Sequence, residues 1–201
     1  TEDGAVSCTD KTVTEVVIPE YIDGIKVTSI AENGFKDCTS LTSVIIPDGV
    51  TTIGEYAFDS CSSLTSIGLP DSLISIGTDA FAYCRSLTRV DIPASVTFIG
   101  AHPFCECENL TGIYVDENNQ YYSNDDRGVL FDRNKTYLIQ APGKIAGSYT
   151  VPDSVTSIGV AAFYECEDLV SIDIPESVTF IGGWGIDAGQ ALRSIRFHGD
   201  A

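Results

Sequence analysis

The stretch TTIGEYAFDSCSSLTSIGLP, residues Thr51–Pro70, is the one that decides the fold. A second stretch, TFIGAHPFCECENLTGIYVD at Thr97–Asp116, carries Ile-Gly, Phe, Cys, Leu and Ile at the same places. It begins 46 residues further on, which is two steps of 23. Residues of such different chemistry return together when each step builds the same structural unit, so the sequence predicts a repeat protein.

The period of 23 extends over most of the chain, with the template I-P-x-x-V-T-x-I-G-x-x-A-F-x-x-C-x-x-L-x-x-I-x. The recurring positions include Phe35, Phe58, Phe81 and Phe104; Cys38, Cys61, Cys84 and Cys107; Leu41, Leu64, Leu87 and Leu110; and, later, Pro152, Phe163, Cys166, Leu169 and Pro175. A period of about 20–29 residues rich in Leu and Ile is typical of leucine-rich-repeat solenoids. Each unit is then one coil, and like residues stack on like residues in neighbouring coils.

Within one coil the pattern predicts a strand, a turn, a short strand and a helical turn. LTSIGLP places Ile67 and Leu69 inward with the period-two alternation of a strand. In the second extended stretch, LISIG, Gly77 suits a tight backbone turn. TDAFAYC has its apolar residues at a spacing compatible with one helical turn. The predicted fold class is therefore an α/β solenoid of stacked parallel strands, short strands and single helical turns.

The template is interrupted in places, and the interruptions divide a single predicted domain into segments. We expect an entry segment at 1–29, regular repeats at 30–115, an irregular repeat at 116–150 and regular repeats at 151–201 with a truncated end. Pro93 and Pro152 are 59 residues apart, and Val129–Phe131 and Tyr137–Ile139 flank the turn-forming DRNK, which predicts an inserted β-hairpin. The stack ends without a polar cap, so we expect further chain or a partner to cover that end.

Composition narrows the classes of partner. Twenty-nine acidic and 11 basic residues give a formal charge of −18. Such a surface repels nucleic-acid phosphates and anionic lipids, because both are bound through Lys and Arg. No apolar run approaches the roughly 20 residues that span a bilayer. We therefore expect neither nucleic acid nor membrane insertion; the acidity favours solubility, with a cationic partner or divalent ions as alternatives.

The seven cysteines and the motif HPFCEC invite a metal or disulfide interpretation. Most of the cysteines occupy one inward repeat position, where a thiol acts as a small apolar side chain. His102, Cys105 and Cys107 lack the paired spacing and fourth ligand of a zinc site. The acidic stretches DENNQ and NDD offer oxygen ligands for calcium but not the spacing of a known calcium loop. We expect structural thiols, with no metal and no cofactor.

The repeats resemble the BspA-like class of bacterial leucine-rich repeats. IPDGVTTIGEYAFDSCSSLTSI, LPDSLISIGTDAFAYCRSLTRV and VPDSVTSIGVAAFYECEDLVSI are close to its consensus, and VVIPEYIDGIKVTSI is similar to its entry segment. The long spacer resembles the irregular hairpin unit of that class. The resemblance implies a secreted or surface-displayed bacterial protein, in some cases adhesive, and it supplies no catalytic residues to carry over.

No catalytic motif occurs: the sequence has no G-x-S-x-G, no H-E-x-x-H and no phosphate-binding glycine loop. We therefore expect a non-enzymatic module that binds a protein ligand through the outward side chains of the strand, on the predicted concave face. The candidate binding residues are Arg89, Asp91, Tyr114, Gln140, Asp173 and Arg196. Tyr114 and Arg89 are the predicted anchors, since Tyr and Arg dominate binding hot spots.

Two other functions stay open at this point. The chain could be a spacer that holds another domain away from a cell surface. It could also carry a carbohydrate-binding or hydrolytic surface, which Tyr114 with Asp91 and Asp173 would supply. Extracellular or cell-surface localisation is expected in each case.

Overall fold

The computed structural model describes residues 3–199, which form nineteen short β-strands and no helix. In chain order the strands are β1 (Ala5–Val6), β2 (Glu15–Val17), β3 (Tyr21–Ile22), β4 (Ile25–Lys26), β5 (Ser29–Ile30), β6 (Ser43–Ile45), β7 (Thr52–Ile53), β8 (Ser75–Ile76), β9 (Arg89–Ile92), β10 (Phe98–Ile99), β11 (Gly112–Val115), β12 (Tyr122–Asn124), β13 (Leu130–Asp132), β14 (Tyr137–Gln140), β15 (Gly147–Thr150), β16 (Ser157–Ile158), β17 (Leu169–Pro175), β18 (Phe180–Ile181) and β19 (Ser194–His198). Thr1, Glu2, Asp200 and Ala201 of the predicted first and last segments lie outside the described residues, as does the expected covering of the C-terminal end.

Parallel strands stack in two columns, which confirms the predicted solenoid. The front strands, from the L-x-x-I stretch of each repeat, pair as β2–β6, β9–β11 and β15–β17–β19. The back strands, from the short stretch before each Gly, pair as β1–β5–β7–β8–β10 and, after the hairpin, as β14–β16–β18. The register advances by 23 residues, as in Ile53 opposite Ile76 and Ile76 opposite Ile99.

The aromatic positions of the repeat form a stack in the core. The rings of Phe35, Phe58, Phe81 and Phe104 follow each other at centroid distances of 5.1, 5.3 and 5.5 Å. Neighbouring rings are nearly parallel, within 13°. All four are buried, as are Leu41, Leu64, Leu87 and Leu110 of the same coils. Stacked burial of this kind explains why these positions recur.

The predicted helical turns are wrong. In this segment most repeats place two residues in the left-handed region, at the positions of Asp79 (φ 51°) and Tyr83 (φ 59°). Alternate backbone N–H groups donate to the next coil instead of along a helix, as Phe58 N does to Ala80 O at 2.8 Å and Phe81 N to Pro103 O at 3.0 Å. The segment is thus a third column of cross-coil hydrogen bonds, here called the turn column. The spacing of Ala, Phe and Cys fits such turns as well as it fits a helix.

Glycine is required at position 77 for a reason other than the tight turn that the sequence suggests. Its φ is not positive; instead, a Cβ at Gly77 would lie 2.5 Å from Glu55 N. A Cβ at Gly100 would lie 2.4 Å from Thr78 N. Backbones of successive coils pass too closely here for any side chain, so glycine recurs because of coil-to-coil contact.

The stacked thiols are confirmed as buried core residues, and most of them donate a hydrogen bond. Cys61 Sγ donates to Phe35 O at 3.2 Å, Cys84 Sγ to Phe58 O at 3.2 Å and Cys107 Sγ to Phe81 O at 3.1 Å. All seven cysteines are free thiols. The repeat selects cysteine because it fills apolar space and also donates to a carbonyl of the preceding coil.

The irregular unit contains the predicted hairpin. β13 and β14 pair antiparallel, with Leu130 opposite Gln140, and β12 adds a further antiparallel strand on the other side of β13. β14 then pairs in parallel with β16, which rejoins the repeat. Near the start of the chain a smaller hairpin, β3–β4, accounts for the extra residues of the entry segment; Asp23 and Gly24 both have positive φ at its tip.

The core consists of two buried clusters. One extends from Ile18 to Leu130 and the other from Val129 to Ala188, so they meet in the hairpin unit. The last coil keeps its predicted frame despite its divergent sequence, since Ile195 pairs with Ile172 and Ile186 packs against the second cluster.

Candidate interaction surface

Most outward side chains of the front strands align as the sequence predicts, with Gln140 as the exception. Val17 lies opposite Ile45, which forms an isolated bridge to Gly68. Asp91 lies opposite Tyr114, and Asp173 opposite Arg196. Because parallel register places these residues on one side of each sheet, they form continuous columns on the surface.

Arg89, Asp91 and Tyr114 form one cluster in this surface. The Arg89 guanidinium carbon lies 4.0 Å from the centroid of the Tyr114 ring. Two residues along the same strand, Asp91 accepts hydrogen bonds from Arg89 Nε at 2.8 Å and from Arg89 Nη2. The Asp91 bond raises the pKa of the guanidinium, which therefore stays charged. Stacking on one side and bidentate pairing on the other hold an exposed Arg in a single orientation.

Gly112 makes the position of the Tyr114 ring possible. It pairs with Arg89 across the strands, and a Cβ at Gly112 would lie 2.6 Å from Tyr114 Cζ. The ring therefore lies over the bare backbone of its own strand, directly beside the guanidinium. A glycine between Thr111 and an outward aromatic is the sequence signal for this arrangement, although spacing alone does not reveal it.

Charge around the cluster is predominantly negative. A cavity of about 360 Å³ at this place is lined by Arg89, Tyr114 and the carboxylates Asp71, Asp91 and Asp116. Asp91 neutralises the one guanidinium, so the remaining carboxylates set the field of the cavity. Such a surface suits a partner that brings basic groups together with apolar area.

Asp173 and Arg196 lie apart from this cluster. Asp173 lines a separate cavity of about 500 Å³ with Asp153, Glu176 and His198, and its Oδ1 lies 3.7 Å from His198 Nε2. Arg196 is exposed on the neighbouring strand. The candidate residues therefore form two groups, one in each block of regular repeats.

Gln140 does not belong to the front surface, which corrects the sequence alignment. It ends β14, a back strand, and its side chain is 2% exposed. Gln140 Nε2 donates to Ala161 O at 3.1 Å, so the amide joins two coils internally. The residue that occupies the front column in this coil is Thr150, opposite Asp173. The hairpin displaces the frame, and counting from proline to proline does not show where.

An apolar area that sequence reasoning did not single out lies at the N-terminal end of the same surface. Val17 is 70% exposed and its neighbour Ile45 is 61% exposed. Outward β-branched residues at paired strand positions are the signal for it. Exposed apolar side chains in register with a charged and aromatic cluster are typical of protein-binding surfaces.

HPFCEC does not assemble a metal site. Cys107 is buried in the thiol stack, while burial raises the pKa of Cys105 to about 12. Within residues 3–199 no three His, Cys, Asp or Glu side chains are grouped as metal ligands. In the acidic loops, Asp125 accepts hydrogen bonds from Val129 N and Tyr149 Oη, so that carboxylate is used internally.

Solved structures of known proteins share this architecture. Among solved structures, a leucine-rich repeat protein from Eubacterium ventriosum has a TM-score of 0.70 at 27% identity, covering 98% of this chain and 68% of that one. A leucine-rich cell surface protein from Faecalibacterium prausnitzii has a TM-score of 0.65 at 29% identity, covering 92% and 61%. The pneumococcal vaccine antigen PcpA shares the fold, with a TM-score of 0.67 at 24% identity, covering 96% and 62%. A comparison with curated proteins gives no match.

The stacked parallel strands and the leucine ladder define a leucine-rich-repeat solenoid. Six copies of the BspA-type leucine-rich repeat region match residues 7–125 and 145–200, so the chain belongs to that family. The chain spans about two thirds of the length of the solved structures it is similar to. Among residues 3–199 there is no helix of the length and apolarity that crossing a membrane requires.

Proposed function

We propose that the chain is a non-enzymatic interaction module that binds a protein ligand at the bacterial cell surface through its front strands. The observation that carries the proposal is the Arg89–Asp91–Tyr114 cluster, in which an exposed guanidinium is held on an aromatic ring before any partner arrives. Preorganised Arg and Tyr side chains lose little conformational entropy on binding, which is why they serve as anchors.

The apolar and acidic parts of the surface define the partner. Val17 and Ile45 offer exposed aliphatic area, and Asp71 and Asp116 add negative charge beside the anchor. A ligand with a basic segment next to apolar side chains would complement both. The name of the F. prausnitzii relative, a leucine-rich cell surface protein, supports a surface location.

The experiment is a binding screen of the chain against arrays of matrix proteins and glycans, followed by variants. Arg89→Glu with Tyr114→Ala should reduce affinity for any protein ligand by at least tenfold, because both anchors are removed. Arg133→Glu, a change of the same charge in the exposed hairpin, serves as the control and should bind normally. Full binding by the double variant would show that the cluster is not the site.

A spacer function predicts a different outcome of the same screen. If no array member binds at micromolar concentration, the chain acts as a structural element of a larger surface protein. Binding to glycans alone would favour the carbohydrate alternative. That alternative is weakened by geometry, since Asp173 and Tyr114 line separate cavities and a sugar at Tyr114 would meet one aromatic ring.

A further inference from the structure

The turn column contains a gap where the irregular unit is too short. Leu138 pairs with Ile158 in the back strands, and Ser148 pairs with Ser171 in the front strands. Ser148 follows Leu138 by 10 positions, whereas Ser171 follows Ile158 by 13. The irregular coil therefore has three residues fewer with which to form its part of the turn column.

A cavity of about 320 Å³ occupies this gap. It lies between His102 and Cys105 of the coil before the irregular unit and Tyr164 of the coil after it. One end of the gap is closed by the short connection, where Ala141 N donates to Ala162 O at 2.7 Å. The break in the repeat thus forms a concave site on a side of the molecule different from the front strands.

Aromatic rings and negative charge line the cavity. Tyr83, Tyr164 and Trp184 contribute three rings, Asp79 contributes a carboxylate, and among the described residues no Lys or Arg takes part. The nearby Glu106 raises the pKa of the Tyr83 phenol, and Glu165 raises that of Tyr164. Aromatic walls in a negative field attract cations with an apolar body.

Asp79 is the hydrogen-bond acceptor of the cavity. Its side chain is 21% exposed, and its Oδ1 lies 3.5 Å from His102 Nδ1. A ligand that brings N–H donors and a positive charge can form a charge-assisted hydrogen bond to this carboxylate.

We propose that this cavity binds a primary ammonium group on an alkyl chain, as found in a lysine side chain or a free alkylamine. The ammonium donates a hydrogen bond to the Asp79 carboxylate. The alkyl chain packs between the rings of Tyr83, Tyr164 and Trp184. This site does not depend on the front surface.

The sole tryptophan of the chain gives a direct readout, because Trp184 lines the cavity and is 70% exposed. Its fluorescence is titrated with n-butylamine, Nα-acetyl-lysine methylamide and butyltrimethylammonium at constant ionic strength. Both primary amines should give a saturable change at roughly millimolar concentration, as expected for ligands of this size. The trimethyl compound cannot donate a hydrogen bond to Asp79 and should bind at least fivefold more weakly.

The ranking of the three probes decides the chemistry. Tighter binding of the lysine derivative identifies a peptide side chain as the source, and tighter binding of butylamine identifies a free amine. Equal or tighter binding of butyltrimethylammonium overturns the proposal, as does the absence of any saturable change.

A matched pair of variants tests the named contact. Asp79→Asn keeps a residue that tolerates the left-handed backbone at this position, and it should weaken binding of primary amines at least tenfold. Asp71→Asn makes the same chemical change on the front surface and should leave the titration unchanged. Thermal melting by circular dichroism confirms that each variant is folded; unaltered binding by folded Asp79→Asn refutes the site.

Discussion

The regular coils around Phe58 and Phe81 differ from the irregular unit at 116–150 in how their backbone N–H and C=O groups are hydrogen-bonded. In the regular coils the backbone hydrogen bonds between coils repeat from one coil to the next, as from Gly54 N to Ile30 O and from Gly77 N to Ile53 O. In the irregular unit there is no matching coil at several positions, and side chains take over. Tyr122 Oη accepts from Ile99 N at 2.8 Å, and Asn124 Oδ1 accepts from Val115 N at 2.8 Å.

Side chains also replace backbone contacts elsewhere in the irregular unit. Arg127, which precedes β13, donates to Ala146 O at 2.7 Å and to Ser148 O in β15 at 3.2 Å. Asn119 is fully buried and Gln140 nearly so, two of the three buried polar residues in the described chain. Where the repeat is interrupted, specific amides and an arginine therefore supply hydrogen bonds that the regular coils obtain from their backbones.

The largest expected effect lies in the regular stack. Leu87→Asp places an unpaired charge at a fully buried position and should unfold the first block, because the cost exceeds several kcal/mol. Loss of the cooperative thermal transition in circular dichroism is the expected result. Thr88→Asp, at the exposed neighbouring residue, should melt as the wild type does. A normal melting curve for Leu87→Asp would contradict the assignment of the leucine ladder to the core.

The next effect tests the irregular unit. Asn119 Nδ2 donates to Pro93 O and Val96 O, while Oδ1 accepts from Tyr121 N and Tyr122 N. Asn119→Ala leaves these buried groups unpaired and should lower the free energy of unfolding by about 3 kcal/mol.

The control for Asn119→Ala is Asn118→Ala at the exposed adjacent position, which should cost less than about 0.5 kcal/mol. Denaturant titration measures both. Equal stability of the two variants would mean that the irregular unit does not depend on its buried amide, and the contrast with the regular coils would be lost.

A matched pair of glycines tests close contact between coils. Gly77→Ala forces a Cβ to within 2.5 Å of Glu55 N and should destabilise by about 2 kcal/mol. Gly68→Ala meets nothing within 4 Å and should be neutral or slightly stabilising. The difference in melting temperature between the two variants is the measurement. If Gly77→Ala has the same melting temperature as Gly68→Ala, the coils can separate locally, and glycine recurs at position 77 for another reason.

The features that recur in many repeats could be predicted from the sequence. The Phe stack, the buried thiols and the hairpin around Arg133 were predictable because periodicity or turn chemistry marks each of them. The turn column was not predictable, because Asp79 and Tyr83 have a left-handed backbone although neither is a glycine.

For the candidate surface, the neighbours Asp91 and Tyr114 followed from the period, but the position of Gln140 did not. A hairpin changes which segment supplies the next front strand, and that depends on three-dimensional pairing rather than on spacing. The gap in the turn column is equally invisible until the pairing of Leu138 with Ile158 fixes the count.

The smallest expected effect concerns the thiol stack. It tests whether the buried thiol contributes to stability through its ionisation as well as through the apolar space that it fills. Burial raises the pKa of Cys61 to about 12, from an ordinary value of about 9. The unfolded chain therefore loses this proton at lower pH than the folded chain does. The stability that the buried thiol contributes is complete below about pH 9 and is lost as the pH rises toward 12.

Cys61→Ala should make the decline of the free energy of unfolding above pH 9 shallower, by at most about 1.4 kcal/mol per pH unit. Denaturant titrations at pH 8, 9 and 10 measure the slope. Cys8→Ala, at a half-buried cysteine outside the repeat position, is the control for removal of a cysteine. The regular coils then couple their stability to alkaline pH through the same side chain that donates from one coil to the previous one. An unchanged slope in Cys61→Ala would show that the stack opens to solvent before the thiol ionises.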